Sequence, residues 1–207
     1  MADTKTNKPG NKAASKGEGR LIAVASGKGG VGKTWFSISL SHALSRAGKK
    51  VLLFDGDLGL ANIDVQLGLM AKRDLNDVIE GNVGLEHIVE RFDDGGFDVA
   101  AGRSGQGSLS ALSAQHLNTL VQQVRAILPK YDAVIVDLGA GIDRTVRFVA
   151  AAADTTVAIT TDEPTALTDV YALIKLSHAA GHADNIKVVI NMSSDKKDGE
   201  ITYNALL

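Results

Sequence analysis

Three features of this sequence predict an α/β fold with a mainly parallel sheet covered by helices on both faces. Short aliphatic runs alternate with longer segments of helical periodicity, which is the pattern of βαβ units. The strand candidates are almost wholly apolar, as strands buried on both faces must be. A glycine-rich segment, Gly27-Lys28-Gly29-Gly30-Val31-Gly32-Lys33-Thr34, falls at the junction of the first strand and the first helix.

Taken in order, residues 1–19 carry Lys5, Lys8, Lys12 and Lys16 among small polar residues, with no large aliphatic residue after Met1. Such a segment buries too little to order itself and is expected to be a disordered, lysine-rich tail. From Arg20 onward the pattern is that of one domain, residues 20–207. A strand is expected at residues 21–25 and a helix from beyond Gly32 to about Ala47. Phe36, Leu40, Ala43 and Leu44 form its apolar face, and Gly48 closes it. A strand at residues 50–54 follows at once. Short helical pieces are expected at 74–80 and 84–91, then a weak strand at 97–100. Between residues 109 and 128 the apolar positions Leu109, Leu112, Leu117, Leu120, Val121, Val124 and Leu128 recur at helical spacing until Pro129 ends the run. Strands are expected at 133–136, 155–159 and 186–190, with a helix over about 165–180 between the last two.

Composition narrows the function classes. The chain has 207 residues, 44% of them hydrophobic, enough for a substantial core. A net charge of −2 gives no global positive field for nucleic acid or an anionic membrane, so no specific nucleic acid binding is expected. The absence of cysteine excludes disulfides and thiol chemistry and suits a reducing cytoplasm. No apolar run approaches the roughly 20 residues that span a bilayer, so a cytoplasmic protein is expected.

The glycine-rich segment fits G-x-x-x-x-G-K-[ST] in the strand-to-helix setting that this motif requires. Backbone N–H groups of Gly29, Gly30, Val31 and Gly32 curl around phosphate oxygens, and the helix N-terminus adds the positive end of its dipole. Lys33 is expected to reach the β- and γ-phosphates of ATP and Thr34 to ligate Mg²⁺. Acids that hold the metal and position water belong at the carboxyl ends of neighbouring strands. Asp55 and Asp57 end the second strand one residue apart, which puts them on one side while the chain stays extended; turn-capping is the alternative for either alone. Asp137 ends the strand at 133–136 and is followed by Gly139 and Gly141, a Walker B layout in which Asp137 holds Mg²⁺ through water.

Lys28, a second lysine near the start of the loop, resembles the deviant Walker A motif of the MinD/ParA family of P-loop ATPases. The stretches from Asp57 to Gly68 and from Thr160 to Lys175, and the Asn191-Met192 pair, are similar to the FlhG (FleN) branch that regulates flagellar number. The resemblance covers residues 20–207. It implies that Lys28 crosses a nucleotide-sandwiched homodimer interface to the partner's phosphates, that Asp57 activates the hydrolytic water, and that Asp55 supports the metal's water shell. It further implies that Gly139 and Gly141 let their loop sense the γ-phosphate and that Asn191 hydrogen-bonds adenine. Implied partners are a signal-recognition-type GTPase of the FlhF kind or a flagellar transcription factor.

Departures from the family pattern are Trp35 after the metal-ligating threonine, Ser39 for an asparagine and Asp162 for a proline. Trp35 either crowds the α-phosphate, as a cofactor-contacting residue, or packs against the sheet. The tail lacks the glutamine-containing motif of some FlhG proteins. The sequence stops at Leu207, inside the expected next helix, where family members continue through another strand to a membrane-targeting helix; no strong membrane binding by this chain is therefore expected. The scattered His42, His87, His116, His178 and His182 form no zinc-like pair. Arg144 and Arg147 are either partner contacts or solvated helix charges, and Glu163 and Asp169 line the dimer face by resemblance. The main reading is a slow, dimer-dependent ATPase switch. Its rivals are a non-hydrolysing nucleotide sensor or inactive fragment, and a ParA/MinD-type partitioning or positioning ATPase.

Overall fold

The computed structural model describes residues 19–57, 62–69, 75–101 and 112–206, without the side chains of Asn76 and Ala183. The lysine-rich tail and the start of the helix expected from residue 109 lie outside these residues.

The elements are β1 Arg20–Ser26, α1 Lys33–Arg46, β2 Val51–Gly56, α2 Ile63–Leu67, α3 Leu75–Ile79, β3 Val89–Phe92 and β4 Phe97–Ala100. After them come α4 Ala114–Ile127, β5 Ala133–Ala140, α5 Arg144–Ala152, β6 Thr155–Thr160, α6 Pro164–Ala179, β7 Ile186–Ile190 and α7 Lys196–Asn204. Within the described residues the seven strands form one sheet in the order β3-β4-β2-β5-β1-β6-β7. All pairings are parallel except that of β3 with β4.

Residue parity sorts the core into two layers. Leu52 and Phe54 of β2 and Val134, Val136 and Leu138 of β5 point to one face, where α3, α4, α5 and α6 cover them. Val51 and Leu53 of β2 and Ile135 of β5 point to the other, covered by Phe36, Ile38, Leu40 and Leu44 of α1 and Ile63 of α2. The same alternation continues to Asp55 and Asp137, which are neighbours in register on β2 and β5. Both acids therefore face α1.

Two expectations are corrected. Residues 84–91 are not a helical piece: a 3-10 turn at Leu85–His87 leads straight into β3. Val89 pairs with Ala100 and Phe92 with Phe97 of β4, whose ring meets Phe92 edge-on at 5.4 Å, so a hairpin partner decides an ambiguous apolar stretch. Ala43 is exposed, because α1 is rotated so that Lys33, Ser37 and Ser41, rather than its apolar stripe, form the fully buried seam. Strand β5 also runs on past 136 to Ala140.

Candidate functional site

At the carboxyl end of β1 the chain leaves the sheet as a loop held from several sides. Ser26 donates its hydroxyl to the Lys28 carbonyl at 2.9 Å, and the Gly141 N–H donates to the Ser26 carbonyl at 2.8 Å, tying the loop after β5 to this one. A side chain on Gly27 would run into the backbone of Asp169 on α6. Gly32 caps α1 with φ of 88°, and a β-carbon there would strike the Asn191 amide. Only glycine meets both demands at Gly32.

Asp137 is the centre of the site. Its carboxylate, 1% exposed, accepts from Thr34 Oγ1 at 2.6 Å and Ser37 Oγ at 2.8 Å and lies 2.9 Å from Lys33 Nζ. Lys33 is itself buried, so this is a desolvated ion pair with its remaining lone pairs engaged, the arrangement in which a buried pair is tolerated. The sequence reading missed Ser37. Its signal was a serine one turn after Lys33, with Ser41 another turn on, where an apolar seam was expected; Ser41 returns its hydroxyl to the Ser37 carbonyl at 2.8 Å.

Asp55 caps a turn, the alternative left open for it. Its carboxylate accepts the N–H groups of Asp57, Asn62 and Ile63 at 3.1, 2.9 and 3.1 Å and so anchors the turn that opens α2. Burial raises its pKa from 3.8 to about 6, aided by the charge of Asp137 and opposed by those three N–H groups. Asp57 lies beyond the strand end, its Oδ1 3.4 Å from where a side chain on Gly139 would begin, so the two residues expected to act at the γ-phosphate are neighbours.

Lys28 donates to Glu163 Oε1 and to Thr165 Oγ1, each at 2.8 Å, across to the start of α6. That hydrogen bond from Lys28, with the lysine's charge, holds the exposed Glu163 carboxyl below its usual range. Asn191, after β7, donates its amide to the Val31 carbonyl at 2.9 Å. Trp35 is 65% exposed, which excludes packing against the sheet. Arg144 and Arg147 are exposed on α5, outside this cluster of contacts.

A hydroxyl and a carboxylate oxygen 2.6 Å apart, beside a buried lysine at a glycine-rich helix N-terminus, suit a hard cation that keeps most of its ligands as water and phosphate. The donor set therefore fits Mg²⁺, with Thr34 and Asp137 as the residues that would hold it. The fold and this loop define a P-loop nucleotide-binding protein. The chain belongs to the family of CobQ/CobB/MinD/ParA nucleotide binding domains, whose model matches residues 22–206. It is 42% identical over 188 residues to the antiactivator FleN of Pseudomonas aeruginosa, covering 90% of this chain and 66% of that protein. It is 36% identical over 193 residues to the flagellum site-determining protein YlxH of Helicobacter pylori, covering 93% and 64% respectively. This chain thus spans just under two thirds of either relative. The septum site-determining protein MinD of Pyrococcus horikoshii, solved as a complex with Mg-ADP, superposes with a TM-score of 0.72 at 27% identity, covering 89% of this chain and 76% of that one.

Proposed function

We propose that this chain binds ATP with Mg²⁺ and hydrolyses it slowly, as a switch whose ATP-bound form pairs two copies and acts on flagellar number or placement. The convergence of Lys33, Thr34 and Ser37 on Asp137 carries the reading. It provides a cation, a hydroxyl and a carboxylate at the place where a triphosphate seated on the loop ends. Thr34 and Asp137 would hold Mg²⁺ there, and the ion would supply positive charge against the charge that develops during phosphoryl transfer.

In this reading Lys33 leaves Asp137 for the β- and γ-phosphates, and the backbone of Gly29, Gly30, Val31 and Gly32 holds the phosphate chain. Asp57 aligns the attacking water in line with the γ-phosphoryl group, and Gly139, beside it, leaves room for that water. Asp55 would support the metal's water shell rather than ligate the ion directly, since backbone N–H groups already occupy most of its acceptor sites. Lys28 exchanges Glu163 for the phosphates of a second copy, where its charge stabilises the transferring group.

The two relatives supply the biological side: one is named an antiactivator and the other a flagellum site-determining protein. An activator of transcription or an FlhF-type GTPase is the partner class that follows. Light scattering with Mg·ADP and then Mg·ATP is the direct test, with Lys28→Ala as control. ATP should shift wild type, but not the variant, from one copy to two. A wild-type protein that stays monomeric with ATP bound sinks the switch reading, and absence of phosphate release relative to Lys33→Ala sinks the enzymatic one.

A further inference from the structure

Trp35 is the chain's sole tryptophan, and it stands in solvent immediately after Lys33 and Thr34. Those two residues and Ser37 turn towards Asp137, whereas Trp35, two residues on from Lys33, leaves α1 on the opposite side. Helical side chains lean towards the N-terminus, which for Trp35 is the direction of Gly32. Met192 reaches the same glycine: its Cε lies 3.6 Å from the position a β-carbon on Gly32 would take. Met192 is 65% exposed as well, and it has φ of 58°, the only left-handed non-glycine backbone among the described residues. A side-chain-bearing residue kept in that conformation, with its apolar side chain in water, points to a function that holds it there.

A phosphate chain whose γ end lies at Lys33 and Thr34 carries its nucleoside end away from the carboxylates, towards the side where Trp35 and Met192 are exposed. We propose that Trp35, with Met192 beside it, is the platform on which the base of the bound nucleotide stacks. This rests on the nucleotide-binding reading above and deepens it. An indole face accepts any base and gains most from the larger purines, and a thioether adapts to whichever ring is present. The loop then selects nucleotides over base-free polyphosphate by about tenfold in affinity through Trp35.

The emission of a lone tryptophan reports this contact directly. Wild type, Trp35→Ala and Trp35→Phe would be titrated with Mg·ADP and with Mg·tripolyphosphate, following emission for wild type and heat for all three. ADP is used because the switch reading pairs copies only with ATP, and emission changes that depend on protein concentration would count against the proposal. ADP should quench the wild-type emission and tripolyphosphate should not. Trp35→Ala should weaken ADP about tenfold, leave tripolyphosphate unchanged, and be largely rescued by Trp35→Phe. Equal ADP affinity in wild type and Trp35→Ala, or equal quenching by both ligands, overturns the stacking role while leaving nucleotide binding intact. Failure of wild type to bind either ligand overturns both readings.

Discussion

At the scale of single residues, the site is governed by how few buried charges it contains and how each is met. Lys33 and Asp137 are buried together, so removing one partner strands the other. Asp137→Ala should lower the unfolding free energy by about 3 kcal/mol or more, measured by urea denaturation, and should abolish the Mg²⁺ dependence of nucleotide affinity. Ser37→Ala removes one hydroxyl from the same carboxylate and should cost about 1 kcal/mol. Asp55 makes a pH prediction with a definite sign. Its folded pKa is about 6 against 3.8 in the open chain, so between these values the fold holds a proton that the unfolded chain has released. Its contribution to stability therefore falls as pH rises from about 4 to 6 and is flat above, an effect on the order of 3 kcal/mol. Thermal melts at pH 5, 6 and 7 without nucleotide should show that decline, and Asp55→Asn should flatten it; an unchanged slope in the variant would place the effect elsewhere.

At the scale of elements, α1 decides the site because it carries the phosphate-binding N-terminus and the residues that grip β5. Gly32 fixes its start by left-handed geometry and by proximity to Asn191. Gly32→Ala should destabilise the fold by about 1–2 kcal/mol and weaken nucleotide binding more than the destabilisation explains, which calorimetry against denaturation separates. On the opposite face α4 is capped by Ser113, whose Oγ accepts the His116 N–H at 3.2 Å. Ser113→Ala should cost about 1 kcal/mol and leave nucleotide affinity untouched, since α4 lies across the sheet from the loop. The alternation of strand and helix was legible because each parallel strand is buried on both faces and each crossover is amphipathic. The stretch at 84–91 was misread because eight residues of mixed pattern satisfy either period, and β4 supplies the pairing that settles it.

At the scale of the whole molecule, the parallel order β2-β5-β1-β6 gathers the carboxyl ends of four strands along one edge of the sheet. Asp55, Asp137, the phosphate loop and the start of α6 meet there although they are far apart in sequence. Within the described residues no helix is long and apolar enough to cross a membrane. If hydrolysis is the step that reopens a pair of copies, Asp57→Ala should bind ATP, reduce phosphate release at least tenfold, and persist as the larger species in light scattering. Turnover equal to wild type would remove Asp57 from the reaction.

Local chemistry in the sequence determined much of this protein: the α/β class, the phosphate loop, and the choice of Lys33, Thr34 and Asp137, which the structure brings into contact. Each of these follows from spacing along one segment, where a strand, a glycine turn and a helix start adjoin. What only the tertiary structure decided are relations between segments. They include the hydroxyl of Ser37 on Asp137, the hydrogen bonds of Asp57, Asn62 and Ile63 to Asp55, the pairing of Lys28 with Glu163 and Thr165, and the outward stance of Trp35. These depend on the rotation of α1 against the sheet and on which loops the strand order brings together, and neither quantity is encoded in the periodicity of any single segment.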